Sequence, residues 1–222
     1  MKTIKIDKQL SGTVGQLQLG VLSGKVQVNH SSEKLIALLN MEAEEIAARE
    51  EIEDIAKLPQ VQATREAYKA LGKKPARYRV SSEALHRRIV QGKGLYFINN
   101  IVDINNLISI RSGCGICLYD VDKIDGDIVF RIAEDGETYR GIGKYDLNLN
   151  KLPVFADEDD PFGSPTSDSE RTRITESTQS ILFIIVSFLD EDLSPWLDQA
   201  EDLLIKFANA QNIEKTIINT NS

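Results

Sequence analysis

Two cysteines, two histidines and one tryptophan are all that the 222 residues hold of those three types. The cysteines, Cys114 and Cys117, form a single CxxC, too little for the disulfide framework of a small secreted domain. A structural zinc site needs two further ligands at suitable spacing, and none is adjacent, so no metal is expected. The two thiols read as small buried groups. Nucleophilic catalysis through histidine has only His30 and His86 to draw on. His30 reads as a cap or surface group, and His86 as a helix residue beside Arg87 and Arg88. No GxSxG, P-loop, GxGxxG or HExxH spacing occurs, and no cofactor is expected. Asp120, Asp122, Asp125 and Asp127 do not make an EF-hand, because counting from Asp120 puts Asp125 at position six and Arg131 at twelve. They read as solvated carboxylates of a strand–turn–strand. No apolar run approaches the ~20 residues that span a bilayer. The longest, Ile181 to Leu189, suits a buried strand. The opening MKTIKIDKQL has no apolar stretch of signal-peptide length. A cytoplasmic protein with no membrane association is expected.

What is present is ordinary in bulk and uneven in detail. Apolar residues make up 41% and charged residues 27%, as in globular proteins. The net charge of −8 argues against nucleic-acid binding by bulk charge. Yet Lys73, Lys74, Arg77, Arg79, Arg87, Arg88 and Lys93 face only Glu83 within their own stretch. That stretch carries +6 and the remainder −14. Its simplest reading is a solvated helix face; its functional reading is a strip that meets phosphates.

Along the chain, residues 1 to 29 alternate, predicting two or three strands with turns at Ser11-Gly12 and Ser23-Gly24. Ser31 or Ser32 caps a helix from about Glu33 to Leu58, and Pro59 ends it or starts the next. A short helix over Val61 to Leu71 stops at Gly72. Ser81 or Ser82 caps a third helix that runs to Gly92. Gly115 to Tyr119 and Asp127 to Ala133 read as strands, and Asp135-Gly136 as a hairpin turn into Glu137 to Ile142. Leu152 to Ala156 is another strand, residues 157 to 169 a polar loop, and Ile181 to Leu189 the most buried strand. Pro195 fits the N1 position of a last helix with its stripe at Trp196, Ala200, Leu203, Leu204 and Phe207. Residues 213 to 222 are expected to fray. The fold class is α+β, a single domain of mixed, mostly antiparallel sheets bracketed by helices.

The densest chemistry lies between Ile98 and Asp127. Asn99, Asn100, Asp103, Asn105 and Asn106 interrupt an apolar helical pattern, although Asn and Asp are poor residues inside a helix. Asn100, Asp103 and Asn106, three apart, lie along one face, which points to a buried network or a polar ligand. A second candidate is Thr166 to Thr175, rich in hydroxyls, where Ser167, Asp168, Ser169, Arg171 and Thr172 offer hydrogen bonds to a carboxylate, amine or phosphate. Its plainer reading is a turn and helix cap.

LHRRIVQGKGL from Leu85, INNIVDINNLISI from Ile98, the LYD that closes the next strand, DKIDGD and SERTRIT together resemble the B3/B4 domain of the phenylalanyl-tRNA synthetase beta subunit. They are more similar still to free-standing proteins that consist of that domain alone. The resemblance covers roughly Ala84 to Asp190, with residues 1–83 and a helix over 194–212 as additions. It implies a B3/B4-like core and a tRNA-editing activity, hydrolysis of a wrongly attached amino acid from aminoacyl-tRNA. The synthetase domain's histidine, two residues before its aromatic-Asp pair, falls on Cys117 here. Its late-strand glutamate falls within ILFIIV, where no acid stands. No catalytic residue is therefore carried over. The substrate-binding candidates are Asn99, Asn100, Asp103, Asn106, Cys117, Ser167, Asp168, Ser169, Arg171 and Thr172. Lys73 to Lys93 would meet the tRNA backbone. Two other readings are a non-catalytic module that binds an amino acid, a nucleotide or tRNA, and a thiol-dependent function at Cys114 and Cys117.

Overall fold

The run Ile181 to Val186 is buried at every residue, so this strand has no solvent face at all. The computed structural model, which describes residues 1–143 and 145–220, shows why. The strand lies in the middle layer of three. In chain order the elements are β1 (Ile4–Ile6), α1 (Lys8–Val14), β2 (Gln18–Lys25), α2 (Glu33–Arg49), α3 (Pro59–Ala70), α4 (Ser81–Val90), α5 (Asn100–Ser112) and β3 (Gly115–Asp120). There follow β4 (Ile128–Ile132), β5 (Thr138–Arg140), β6 (Asp146–Asn148), β7 (Pro153–Ala156), β8 (Pro161–Gly163), β9 (Ser180–Ser187), α6 (Ser194–Ala208) and β10 (Gln211–Asn219).

One sheet, in the order β10-β2-β9-β3, is antiparallel throughout. A second, in the order β1-β4-β7-β8, has one parallel pair, β1 with β4. β5 and β6 form a separate hairpin. Along β9, Leu182, Ile184 and Val186 pack toward the second sheet with Phe130, Phe155 and Phe162. Ile181, Phe183 and Ile185 pack toward α5 and α6 with Ile104, Ile108 and Leu204. At roughly 1.5–3 kcal/mol per buried large side chain, these six residues contribute on the order of 10 kcal/mol.

The α+β class and the mostly antiparallel sheets are as the sequence indicates, and several local readings are not. Ser11-Gly12 lies inside α1, capped by the Asp7 carboxylate on the N–H groups of Gln9 and Leu10. Ser23-Gly24 lies inside β2, which runs unbroken against β9. The first long helix stops at Arg49 rather than Leu58, and Pro59 opens α3. Asp135-Gly136 does turn, with Gly136 at φ +89°, but it does not close a hairpin. Both edges of β4 are already taken by β1 and β7, so β5 pairs with β6. Residues Pro161 to Gly163 of the expected polar loop are a buried strand. Gln211 to Asn219 does not fray: it forms β10, paired with β2, so the last helix ends at Ala208, not near 212; residues 221 and 222 of the expected frayed end lie outside the described residues. Asp120 is not solvated; it is buried and accepts a hydrogen bond from Thr178 Oγ1 at 2.8 Å.

Aromatic packing between the sheets sets one tight constraint. The Tyr119 ring meets Phe162 edge-on at 4.8 Å, and Phe130 stacks on Phe155 at 4.2 Å. A Cβ on Gly163 would stand 2.1 Å from the Tyr119 hydroxyl and 2.5 Å from its ring. Gly163→Ala is therefore expected to cost about 1–3 kcal/mol by overpacking. The Tyr119 hydroxyl is buried close to the Cys117 sulfur and makes no hydrogen bond of ordinary geometry. Tyr119→Phe should thus be neutral or stabilising, and should recover part of the Gly163→Ala loss. Thermal unfolding of the two single variants and the double variant checks this; an additive double variant would contradict it.

Candidate functional site

α5 starts where Asn99 caps it, its Oδ1 accepting from the N–H groups of Ile101 and Val102. It ends at Gly113 in the left-handed conformation, φ +72°. Between these caps its polar residues divide over two faces. Asn100 faces inward: its Nδ2 donates to Gln27 O and Phe207 O, each at 2.9 Å, and its Oδ1 accepts from Asn29 N. It ties the chain leaving β2 to the C-terminal end of α6. Asp103 accepts from Ser31 Oγ at 2.5 Å and from Ile98 N at 3.0 Å. Asn106 is half-buried and lies outside the cleft described next.

Burial pushes the Asp103 carboxyl up, and the Ser31 hydroxyl and Ile98 amide offset this only in part. A carboxyl raised in the folded state binds its proton more tightly there than in the unfolded chain. Its contribution to stability therefore falls as pH rises from the ordinary Asp value through the raised one. Asp103→Asn removes this dependence. The difference in melting temperature, Asp103→Asn minus wild type, should rise between about pH 3 and about pH 7. A difference that stays flat would show that Asp103 is not perturbed.

On the other face of α5, Asn99, Val102 and Asn105 open into a cleft of about 710 Å³. The facing wall is Asp168 together with Arg173, Ile174, Thr175 and Glu176. Val28, Ile98, Leu118 and Ile142 supply apolar surface, and His30 stands exposed at the edge. Asn105 is only 8% exposed, and its carbonyl oxygen is buried without a hydrogen-bond partner. A buried amide left unpaired is costly and marks a place where a ligand or water supplies the missing bond. The exposed Arg173 guanidinium has no carboxylate partner among the described residues.

Asp168 stands between this cleft and a polar cluster behind it. Tyr139 donates to Ser167 O, and Tyr68 shares a 2.9 Å hydrogen bond with Thr166. Burial, and then the charge of Asp168, push the Cys117 thiol and the Tyr119 hydroxyl well above their ordinary values. Burial likewise pushes the Cys114 thiol up, with the nearby Glu191 adding to it. Both cysteines are free and fully buried, so neither is a ready thiolate.

Of the sequence candidates, the structure thus brings Asn99 and Asp168 to one recess. The rest do not line it. Cys117 points toward the space between the sheets, while its neighbour Leu118 faces the cleft. Arg171 makes a two-pronged pair with Asp157, both contacts at 2.9 Å. Thr172 Oγ1 donates to Phe162 O, and Ser169 is buried beside it. Ser167 is half-buried, its N–H on Ser164 Oγ and its carbonyl on Tyr139. The spacing of residues 100, 103 and 106 does not single out Asn105. The available signal was the run 99, 102, 105, a face one residue out of step with 100, 103, 106.

The cationic strip is also more structured than a solvated face. Glu83, its one acid, is buried and gathers Arg65 at 2.9 Å, Arg87 at 2.9 Å and Arg79 at 3.7 Å. His86 is buried as well, between Glu50 at 2.7 Å and Ile110 O at 3.0 Å. Lys74, Arg77, Arg79 and Lys93 are exposed; Lys73, Arg87 and Arg88 are half-buried.

A two-sheet α+β domain with a helix-and-loop cleft on its helical side is the class that fold and site define. Within that class the chain belongs to the B3/4 domain family, whose model matches residues 63–195. Over 69 residues it is 36% identical to the phenylalanine–tRNA ligase beta subunit of Brucella abortus (strain 2308), a match covering 31% of this chain and 9% of that protein. It is 31% identical over 91 residues to the same subunit of Aquifex aeolicus (strain VF5), covering 40% and 12%. The matches thus span only about a tenth of those relatives' length. An N-terminal fragment of the phenylalanyl-tRNA synthetase beta subunit from Pyrococcus horikoshii aligns with 98% of this chain and 54% of its own, at a TM-score of 0.49 and 15% identity. No helix among the described residues is long and apolar enough to cross a membrane.

Proposed function

We propose that this chain is an aminoacyl-tRNA editing hydrolase, a cytoplasmic protein that removes a wrongly attached amino acid from tRNA. The observation that carries the reading is the unpaired Asn105 carbonyl in a cleft walled by α5 and residues 168–176. Membership of the B3/4 family supports this choice of reaction class. An aminoacyl ester is already activated, so a positioned water suffices as nucleophile. Water oxygen bonds to the ester carbonyl carbon, the bond from that carbon to the ribose oxygen breaks, the ribose oxygen takes one water proton to become a hydroxyl, and the other proton leaves with the freed carboxylic acid. Asn105 accepts a hydrogen bond from the α-ammonium of the bound aminoacyl group, Asp168 faces the same charge, and Arg173 faces a phosphate at the mouth. Neither thiol takes part.

Incubation with a panel of misacylated tRNAs tests this. At least one is expected to be deacylated above background, and Asn105→Ala should lower kcat/KM about 10- to 100-fold, equivalent to about 1.4–2.7 kcal/mol, with little loss of stability. No deacylation of any member of the panel would end the proposal. The buried, raised Cys117 thiol at the position of the synthetase histidine favours a second reading, a non-catalytic module for an amino acid, nucleotide or tRNA. Binding by calorimetry without turnover would select it.

A further inference from the structure

Eight large apolar side chains are exposed among the described residues, and five of them, Tyr96, Phe97, Ile98, Ile142 and Tyr145, fall in just two short segments. Ile98 and Ile142 both line the cleft, so each of these residue groups adjoins it. Clustering of this kind marks a surface that is covered in use. Tyr96 is 54% exposed and Phe97 40%. They follow Gly92 and Gly94, both at positive φ, in a segment that is neither helix nor strand. The Arg88 guanidinium lies 4.4 Å from the centre of the Tyr96 ring, a cation–π contact on one of its faces. Of the Lys73–Lys93 stretch, net +6 in a protein of net −8, Arg88 and the exposed Lys93 stand beside these rings, Arg88 donating to Lys93 O at 3.3 Å.

Flat aromatic faces beside fixed cations suit one class of ligand above others. Bases stack on rings irrespective of sequence, while the cations follow the backbone. A duplex hides its base faces, so the ligand must have an unpaired end. We infer that Tyr96 and Phe97 form a stacking platform for the unpaired bases of a single-stranded RNA end at the mouth of the cleft. The inference builds on the proposed function in one respect only, that the terminal nucleotide continues into the cleft. The platform itself needs no attached amino acid.

The test therefore uses uncharged RNA. Fluorescence anisotropy compares a labelled hairpin bearing a single-stranded 3′ overhang of about four nucleotides with the same hairpin made blunt. The overhang is expected to raise affinity about tenfold or more at fixed salt. The double variant Tyr96→Leu with Phe97→Leu should lose about 10- to 100-fold on the overhang and leave the blunt hairpin unchanged. The exchange Tyr96→Phe with Phe97→Tyr keeps both rings and should bind as wild type does. A 2-aminopurine in the overhang should be quenched by the wild type and not by the leucine pair. Equal binding of the two hairpins, or an overhang preference that survives loss of both rings, would overturn the platform. So would self-association that the leucine pair abolishes while the two hairpins bind alike, since the surface would then be covered by a second copy. Overhang preference without deacylation retires the hydrolase and leaves the platform standing; deacylation without overhang preference does the reverse.

Discussion

Glu83→Ala is expected to destabilise the protein by about 3–5 kcal/mol, lowering its melting temperature by roughly 10 °C. The Glu83 side chain is 1% exposed, and three guanidinium groups converge on it. Arg65 and Arg87 are themselves mostly covered, each with 24% of its side chain exposed. Removing the carboxylate leaves two partly desolvated cations close together, with repulsion added to lost pairing. Glu83 also stands in the first turn of α4, where the helix dipole favours an acid. Glu83→Gln keeps hydrogen bonding to one arginine and should lose less than Glu83→Ala. A replacement of all three arginines by Met in the Glu83→Ala background separates the two causes. If the isolated cations are the main cost, that variant regains much of the stability. Chemical denaturation with a shared m-value checks both outcomes. A loss below about 1 kcal/mol for Glu83→Ala would place this network among surface pairs of little worth.

Glu83 also shows what the sequence does and does not make legible. Seven cations against one acid read as a solvated strip, because composition cannot say that the single acid is inside. Elements whose pattern comes from burial on both sides, such as β9, can be read directly. So can elements with their own terminators, such as α3 with Pro59 and Gly72, or α5 with Asn99 and Gly113. β10 could not. Its sequence QNIEKTIIN is mostly exposed, and what orders it is backbone pairing with β2, which leaves no mark on its side chains. α1 is seven residues long with only Leu10 buried, too short for a period to show. The Asp135-Gly136 turn was legible, but not the fact that both edges of β4 were occupied, which is a property of strands far along the chain. The candidate site was legible in the same partial way. Sequence singled out α5 and the 166–175 segment, and these do face each other across one cleft. It could not choose between adjacent helical faces, since Asn100 and Asn105 are the same residue type. Asn100 makes three hydrogen bonds to backbone within the fold, while the Asn105 carbonyl makes none.

Asp157→Ala is expected to remove both stability and the proposed deacylation, because this carboxylate anchors the cleft wall without touching the cleft. Its side chain is fully buried. Burial alone would push the Asp157 carboxyl up, but the two-pronged Arg171 pair and the backbone N–H groups of Asp125 and Asp160 outweigh this and hold it below the usual range. Arg171 in turn donates to Lys123 O and Asp160 O. One ion pair thus joins the turn after β3, the 157–160 bend and the start of the 171–176 segment. Leaving the Arg171 guanidinium without its partner should cost about 3–5 kcal/mol. The sign of the pH effect follows from the lowered value. The carboxylate's contribution is complete above the unfolded Asp value and is lost as pH falls through the lower folded one. Asp157→Asn should therefore be destabilised most at neutral pH and approach wild type in acid, the opposite trend to Asp103→Asn. Because residues 173–176 hang from this anchor, deacylation should fall together with melting temperature in Asp157→Ala, whereas Asn105→Ala should lose activity alone. An Asp157→Ala protein that melts within about 2 °C of wild type and keeps its activity would mean that the Thr172 and Ser169 hydroxyls, bonded around Phe162, hold the wall unaided.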